Sequence, residues 1–422
     1  MAKYAIDLTP LKKYPDFRNL WTAGLISYFG SMITYVALPF QLKELTGSYL
    51  AVGLLGVVEI VPLIIVGLYG GVLADSVDRK KMVWATEAGA LILVLVLLGN
   101  SLLGSPTTLA IYLVAALFAV VDGLQRPSMD AMLPRLVSHE DLPAASALLS
   151  LRWQLGVIVG PTIGGIIFST MSVSAGYVVD IATYLLSLFF LARVGSIARS
   201  KEAEKPSLAA LLDGVKYAFR RQDLLGTYII DLAAMTLAMP MALYPFWADE
   251  LNAPWALGMF YAAITVGSVI VTLTSGWTRT YRFHGRAVIL AAMGWGLAIA
   301  AAGLSHSLIL VLLFLTIAGA SDMVSALFRG NIWNQTIPDN FRGRLAGIEL
   351  LSYSVGPLAG QLRAASMAAA TTLSISVTSG GLMCVVVVAL LAIFLPKMWK
   401  YDVQTNEFAV REREIRKNRE IS

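Results

Sequence analysis

Cysteine is almost missing from this chain. Cys384 is the only one and it lies in the last long apolar stretch, which excludes a disulfide framework, a thiolate metal site and a redox pair. Histidine is nearly as scarce. His139, His284 and His306 are scattered over loops or stretch ends, and neither H-E-x-x-H nor G-x-x-x-x-G-K-S/T occurs, so metalloprotease chemistry and ATP-driven pumping are unsupported. Charge is thin as well: 14% of residues are Asp, Glu, Lys or Arg, against about 25% in soluble domains. With 57% hydrophobic residues and a mean hydropathy of +0.71, a soluble enzyme is excluded. The net charge of +5 does not point to nucleic acid, because basic residues in such a chain act first as topology determinants. The N-terminus has no short apolar core followed by a small-residue cleavage site, and Lys12, Lys13 and Arg18 precede the first apolar stretch. It is expected to stay attached and cytoplasmic.

What the chain has instead is about twelve apolar stretches of some twenty residues between Leu20 and Leu395. Each is long enough to cross a ~30 Å hydrocarbon core as a helix, the fold that satisfies its own backbone polar groups in lipid. The expected fold is therefore an all-α membrane protein. Its spans are read at 20–42, 48–74, 82–102, 107–133, 142–170 and 174–194, then at 224–248, 255–278, 286–304, 308–335, 344–369 and 372–395. Loops carrying Arg79, Lys80 and Lys81, then Arg135, then Arg279, Arg282 and Arg286, then Arg342 and Arg344 alternate with loops at 103–106, 171–173 and 305–307 that hold no basic residue. Only Lys43 breaks this alternation. The rule that basic loops stay inside then predicts a multi-pass protein of the cytoplasmic (inner) membrane with both termini cytoplasmic.

A polar interruption divides the spans six and six. The expected organisation is an N-terminal half, 1–194, a cytoplasmic linker, 195–222, a C-terminal half, 223–396, and a cytoplasmic tail, 397–422. The linker's charges are read as a solvated surface, with a short amphipathic segment around LAALLDGVKYAF. The tail ending REREIRKNREIS is read as a solvated or disordered helix, with lipid or partner contact as the lesser alternative. Weak repetition supports two halves. Gly160-Pro161 is echoed by Gly356-Pro357, Pro134 by Pro338, and Gly71 by Gly276, at offsets of 196 to 205 residues. Two parallel six-helix halves with a substrate path between them near the midplane are a transporter's construction.

Three motifs carry a resemblance. GVLADSVDRKK, Gly71 to Lys81, resembles the loop signature of the major facilitator superfamily, G-x-L-A-D-x-x-G-R-K, with Gly71, Leu73, Ala74, Asp75, Arg79 and Lys80 matching. Asp78 stands where that signature has glycine and Ser76 where it has a basic residue, so the turn is open to differ. GVIVGPTIGG matches the G-x-x-x-G-P-x-x-G-G pattern of the family's drug and proton antiporters at Gly156, Gly160, Pro161, Gly164 and Gly165. DFRNLW, from Asp16, and RPSMDAMLPRLVSHEDLPAASALL, from Arg126, are similar to the branch containing bacterial enterobactin and macrolide exporters. The resemblance implies the major facilitator fold, twelve helices in two pseudo-symmetric halves, and export of a small molecule. Independently of the name, Gly156 and Gly160 sit four apart on one helix face where a neighbouring backbone can approach, and Pro161 removes a donor. Ordinary tight packing is the alternative to a sliding face. Asp75 and Arg79 lie one turn apart near the membrane face that also holds Asp130, and the three are expected to latch one conformational state unless they simply face water.

Intramembrane charges are the remaining candidates, since each is costly unless paired or facing a wet cavity. Asp122 and Arg126 stand at i and i+4, the spacing of an ion pair. Asp322 and Arg329, seven apart, share a face in the second half. Glu59 lies mid-span beside Pro62 with no basic residue within a turn, and is read either as a proton carrier or as a substrate contact lining a cavity. Arg152, Asp180, Asp231, Glu349 and Arg363 are secondary. Trp21, Tyr28, Tyr35, Trp153, Tyr244, Trp247 and Trp333 either line a cavity or serve packing and interfacial anchoring.

The sequence thus predicts a monomeric secondary transporter, not an enzyme. It exports a siderophore or amphipathic drug by proton antiport with alternating access, and needs no metal or organic cofactor beyond the proton as coupling ion. Its partners are the bilayer and a small-molecule substrate, with no nucleic acid. The alternatives are a proton-coupled symporter or facilitator for uptake, and a non-transporting receptor or lipid-handling scaffold.

Overall fold

The computed structural model describes residues 7–76, 78–195 and 216–421; within the helices the side chains of 67–76, 127, 130, 131, 339, 340, 342–344, 346–352, 416 and 418–421 are outside the description. Most of the expected linker and its amphipathic segment therefore lie outside the described residues. Every described element is helical. Eleven helices among the described residues are long and apolar enough to cross a membrane.

A short α1, Thr9–Lys13, precedes α2, Pro15–Thr46, α3, Tyr49–Ser76, α4, Arg79–Ser101, α5, Thr108–Leu136, α6, Leu142–Thr170, and α7, Val173–Ala192. The second series is α8, Gln222–Ala238, α9, Tyr244–Glu250, α10, Leu257–Leu273, α11, His284–Gly303, α12, Leu308–Thr336, α13, Asp339–Ala370, and α14, Leu373–Phe394. The chain ends in α15, Pro396–Trp399, and α16, Glu407–Ile421. Helix α13 occupies the eleventh expected span. The seventh expected span is not one helix but two, α8 and α9. Pro240 has no N–H to donate, and Met239 before it is extended (φ −99°, ψ 104°), so the helix stops and restarts through one tight turn at Met241–Leu243.

Side-chain caps set several helix starts. Asp78, the departure from the loop signature, caps α4: its carboxylate accepts from the Lys80 and Lys81 amides at 2.9 and 3.2 Å. Ser172 caps α7 by accepting from Ala175, and Thr372 caps α14 by accepting from Ile375, each at 3.2 Å and 200 residues apart. Gly47 closes α2 in the left-handed region at φ 59°, where a side chain would be strained.

Two compact units form: Met1–Pro206 with Ala248–Ala262, and Ser207–Trp247 with Ala263–Ser422. In the first, α2 packs on α6 and α7, and α4 packs on α5 and α7. In the second, α8 packs on α13 and α14, and α11 on α12 and α14, which is the same pattern one repeat later. Both rest on glycine seams. A Cβ on Gly160 would lie 2.6 Å from the Met32 Cβ and 2.8 Å from the Phe29 carbonyl oxygen, and one on Gly356 would lie 2.9 Å from the Met235 Cβ. Gly165 faces the backbone of Gly258 within the first unit, where a Cβ on Gly165 would lie 2.7 Å from the Gly258 amide nitrogen. Lys43, the exception in the loop pattern, forms ion pairs with Glu44 at 3.0 Å and with Asp249.

The tail departs from the solvated helix expected of it. Met398 is fully buried beside Gly226 and Gly285, Tyr401 is buried against His284, and Asp402 accepts from Arg282 Nε at 2.9 Å. Arg221, paired with Asp223, lies 3.7 Å from the centre of the Phe408 ring, and Asn406 donates to Asp223 at 3.4 Å. Apolar anchors seated against absent Cβ atoms, together with the Arg282–Asp402 pair, dock this segment.

Candidate functional site

Within the first unit, α2 to α7 enclose a cavity of about 290 Å³. Small residues make its room: Gly24 lets the Arg152 guanidinium lie against α2, and Gly156 gives space to the Tyr28 ring. Its polar lining comes from six helices, Tyr184 being the contribution of α7. Helix α2 presents Ser27, Tyr28, Ser31, Thr34 and Tyr35; α3 presents Glu59, α4 Glu87, α5 Asp122 and Gln125, and α6 Arg152. Phe118 and Met129 of α5 and Met32 of α2 supply apolar wall.

Three carboxyls thus meet one space. Glu59 makes no hydrogen bond or ion pair among the described residues, and Pro62 on the same helix removes a donor nearby. Asp122 and Arg126 are both exposed and form no contact ion pair with each other. That corrects the pairing expected from their i and i+4 spacing. Asp122 belongs to the cavity lining, and its carboxyl is committed to that space rather than to Arg126. Arg126 is not among the residues lining the cavity.

Glu87 was not legible as a candidate. It is 1% exposed, its Oε1 accepts from Ser27 Oγ and from Gln125 Nε2, each at 2.9 Å, and its Oε2 has no partner among the described residues. The signal was present: Glu87 is the single acidic residue in the 23 residues of α4. It stands only two turns past Arg79, Lys80 and Lys81, and so reads as a loop-proximal charge. Behind the cavity Asp180, fully buried on α7, accepts from Thr34 and from Thr183 Oγ1, the latter at 3.1 Å. It ties α7 to α2 across the site left open by Gly30.

The second unit holds its own charge cluster. Arg329 of α12 pairs with Asp231 of α8 and stands 3.7 Å from Asp322 Oδ1. The expected Asp322 and Arg329 pair is therefore the longer of two contacts. Asp231, which showed no partner in sequence, supplies the shorter one from another helix. Arg363 donates to the Ser376 carbonyl at 3.1 Å over Gly380.

Of the aromatic candidates, Tyr28 and Tyr35 line the cavity. Trp21 donates to the Leu148 carbonyl at 2.8 Å, Trp333 stacks on Tyr228 and donates to Thr227, Tyr244 and Trp247 are buried, and Trp153 is exposed. The glycines and proline of the α6 motif, Gly156, Gly160, Pro161, Gly164 and Gly165, form the α2 seam and the Gly258 contact. Gly71 lies in α3, and the side chains of Asp75, Asp130 and Glu349 are outside the description, so the latch built on Asp75, Arg79 and Asp130 stays an expectation.

The chain is similar to known proteins over nearly its whole length. The sequence signature of the family described as "Transmembrane secretion effector" matches residues 5–419. Enterobactin exporters EntS of Shigella boydii serotype 18 and Escherichia coli O81 are each 28% identical over 400 residues, covering 94% of this chain and 96% of theirs. Among solved structures, a variant of the nucleoside transporter NupG superposes with a TM-score of 0.75 at 12% identity, covering 91% of this chain and 100% of its own. A bacterial homologue of the human lysosomal transporter Spinster gives 0.73 at 12%, covering 92% and 98%. A bacterial homologue of the iron transporter ferroportin gives 0.67 at 16%, covering 91% and 98%. The helix order, the repeated packing and the matched signature agree, and the chain belongs to the transmembrane secretion effector family of major facilitator transporters.

Proposed function

We propose that this protein is a secondary active exporter that moves a siderophore or amphipathic drug out across the cytoplasmic membrane in exchange for protons, by alternating access. The family's description as secretion effectors and the naming of 28% identical relatives as enterobactin exporters support the outward direction. The observation that carries proton coupling is the cavity itself, where Glu59, Glu87 and Asp122 surround one space and Glu59 has no protein partner among the described residues.

In this mechanism Glu59 takes a proton when the cavity faces outside and releases it when the cavity faces the cytoplasm. Each entering proton gains about 2.3 kcal/mol per 100 mV of membrane potential, plus its pH gradient, which biases a two-state bundle. The α2 and α6 glycine seam is the packing that shifts between states, and Asp75, Arg79 and Asp130 latch one of them. The protein works as a monomer with both termini cytoplasmic, its halves spanning 1–194 and 223–396 on either side of a 195–222 linker. The proton is the coupling ion and no other cofactor takes part.

The test uses inside-out vesicles with an acid interior and a panel of siderophores and amphipathic drugs. Wild type accumulates a substrate of the panel against its gradient. Glu59→Gln keeps the shape but cannot ionise, and is expected to equilibrate that substrate downhill without accumulating it. Accumulation equal to wild type in Glu59→Gln removes Glu59 as the carrier, leaving Asp122 and Asp322 as the next candidates.

A further inference from the structure

The cavity in the first unit is rich in carboxyls and poor in cations. Glu59 and Asp122 present carboxyls without a protein hydrogen bond among the described residues. Glu87 is 1% exposed, spends one oxygen on Ser27 and Gln125, and leaves Oε2 buried with no partner among the described residues. A buried oxygen of this kind is costly unless something brings it a donor or a positive charge. Among the described lining residues the only cation is Arg152, against three acids. Arg126 acts on Asp122 from outside the lining. The walls that complete the space are the rings of Tyr28, Tyr35 and Tyr184 and the apolar Phe118, Met32 and Met129. Aromatic faces attract cations, and methionines adapt to irregular apolar shapes.

Resting on the exporter reading above, we propose that this cavity selects organic cations: molecules with a positively charged nitrogen or phosphorus centre within an apolar body, held by Glu87 and Asp122 with the charge over the tyrosine rings. A rigid anion of the same size meets three carboxyls and one guanidinium, and is disfavoured. The charged and titratable groups that set this balance are Glu59 on α3, Glu87 on α4, Asp122 and Arg126 on α5, Arg152 on α6, and the tyrosines of α2 and α7. Asp180 of α7 is fully buried and held by Thr34 and Thr183. It braces the wall and does not enter the cavity lining.

The experiment compares two probes of matched shape and opposite charge, tetraphenylphosphonium and tetraphenylborate. Binding is measured to the purified full chain in lipid nanodiscs at neutral pH, with protein-free discs subtracted for partition into lipid. The proposal expects saturable tetraphenylphosphonium binding at least tenfold tighter than that of tetraphenylborate. Glu87→Gln and Asp122→Asn should each weaken it about tenfold while leaving a monodisperse, helical protein. Ile92→Val, at an exposed position of α4 outside the lining, should preserve the cation preference. Equal or tighter binding of the anion, no binding of either probe, or undiminished cation binding in both carboxyl variants overturns the proposal. Proton-driven accumulation measured beside it separates the two readings: wild type that exports a panel compound yet prefers the anion keeps the exporter and loses cation selectivity. Cation binding without any driven transport does the reverse.

Discussion

Asp231 and Asp122 each bring a carboxyl into the membrane region, and their surroundings give them opposite jobs. Asp231 and its partner Arg329 are both nearly fully buried and in contact, so removing one charge leaves the other stranded in a low-dielectric interior. Asp231→Asn is expected to lower stability by about 3 kcal/mol, seen as a clear drop in the thermal unfolding midpoint in detergent. Asp122→Asn strips no contact pair and is expected to stay within about 1 kcal/mol of wild type in the same measurement, while impairing transport. Equal losses in both would contradict this division. Sequence spacing gives the faces within one helix, and so placed Asp322 near Arg329. It is blind to partners on other helices, which is why Asp231 had no visible mate and why Asp122 and Arg126 were paired on spacing alone. Glu87 escaped notice for a related reason: its distance from the loop is legible, but the Ser27 and Gln125 donors that draw it into the site come from α2 and α5.

At the scale of elements, the α2 and α6 seam leaves no room for a side chain. A leucine at Gly160 would meet the Met32 Cβ and the Phe29 carbonyl, so Gly160→Leu is expected to abolish transport, with overpacking of about 1–3 kcal/mol, while the protein still inserts. Wild-type export by that variant would reduce the motif to tolerant packing. The tail clasp is sensitive to acid. The Arg282 guanidinium, followed by the Gln404 amide, holds the Asp402 carboxyl below the ordinary carboxylate range. A depressed carboxyl contributes stability fully above its unfolded pKa of about 3.9, and that contribution fades as pH falls through its lower folded value. Because Arg282 is half exposed, the pair is worth about 1 kcal/mol or less. Hydrogen-exchange protection of the Val403 amide, which donates to the Arg282 carbonyl, should hold from pH 7 to pH 5 and fall in Asp402→Asn. Unchanged protection in Asp402→Asn would show that Met398 and Tyr401 dock the tail unaided. Helix positions followed from apolar length. The α8 and α9 break and the tail's docking did not, because Pro240 sits inside an uninterrupted apolar run and the anchors Met398 and Tyr401 are two residues in a strongly charged segment.

For the whole molecule, the echoed Gly-Pro pairs became equivalent helix seams, and the caps Ser172 and Thr372 occupy matching places in the two series. The Gly-Pro repetition was readable because packing without a Cβ requires a particular residue type at a fixed position, whereas the matching caps emerge only in the structure. The cavity was not, since it is assembled from side chains of α2 to α7 that lie far apart in the chain. Orientation is open to direct test: with Cys384 replaced, cysteines at positions 104 and 306 should react with an impermeant thiol reagent in intact cells, and one at position 200 should not. Labelling at 200 would contradict the assignment of the basic loops to the cytoplasm. The central claim, outward solute movement driven by inward protons, is tested most directly by internal pH in proteoliposomes. Protein is reconstituted with a pH-sensitive dye inside, and a transported compound is added on one side with no initial pH gradient and the membrane potential clamped. Antiport predicts that solute entering the vesicles expels protons, so the interior turns alkaline in proportion to solute uptake and stays unchanged without protein. Acidification with solute entry, or solute flux with no change in internal pH, would contradict it.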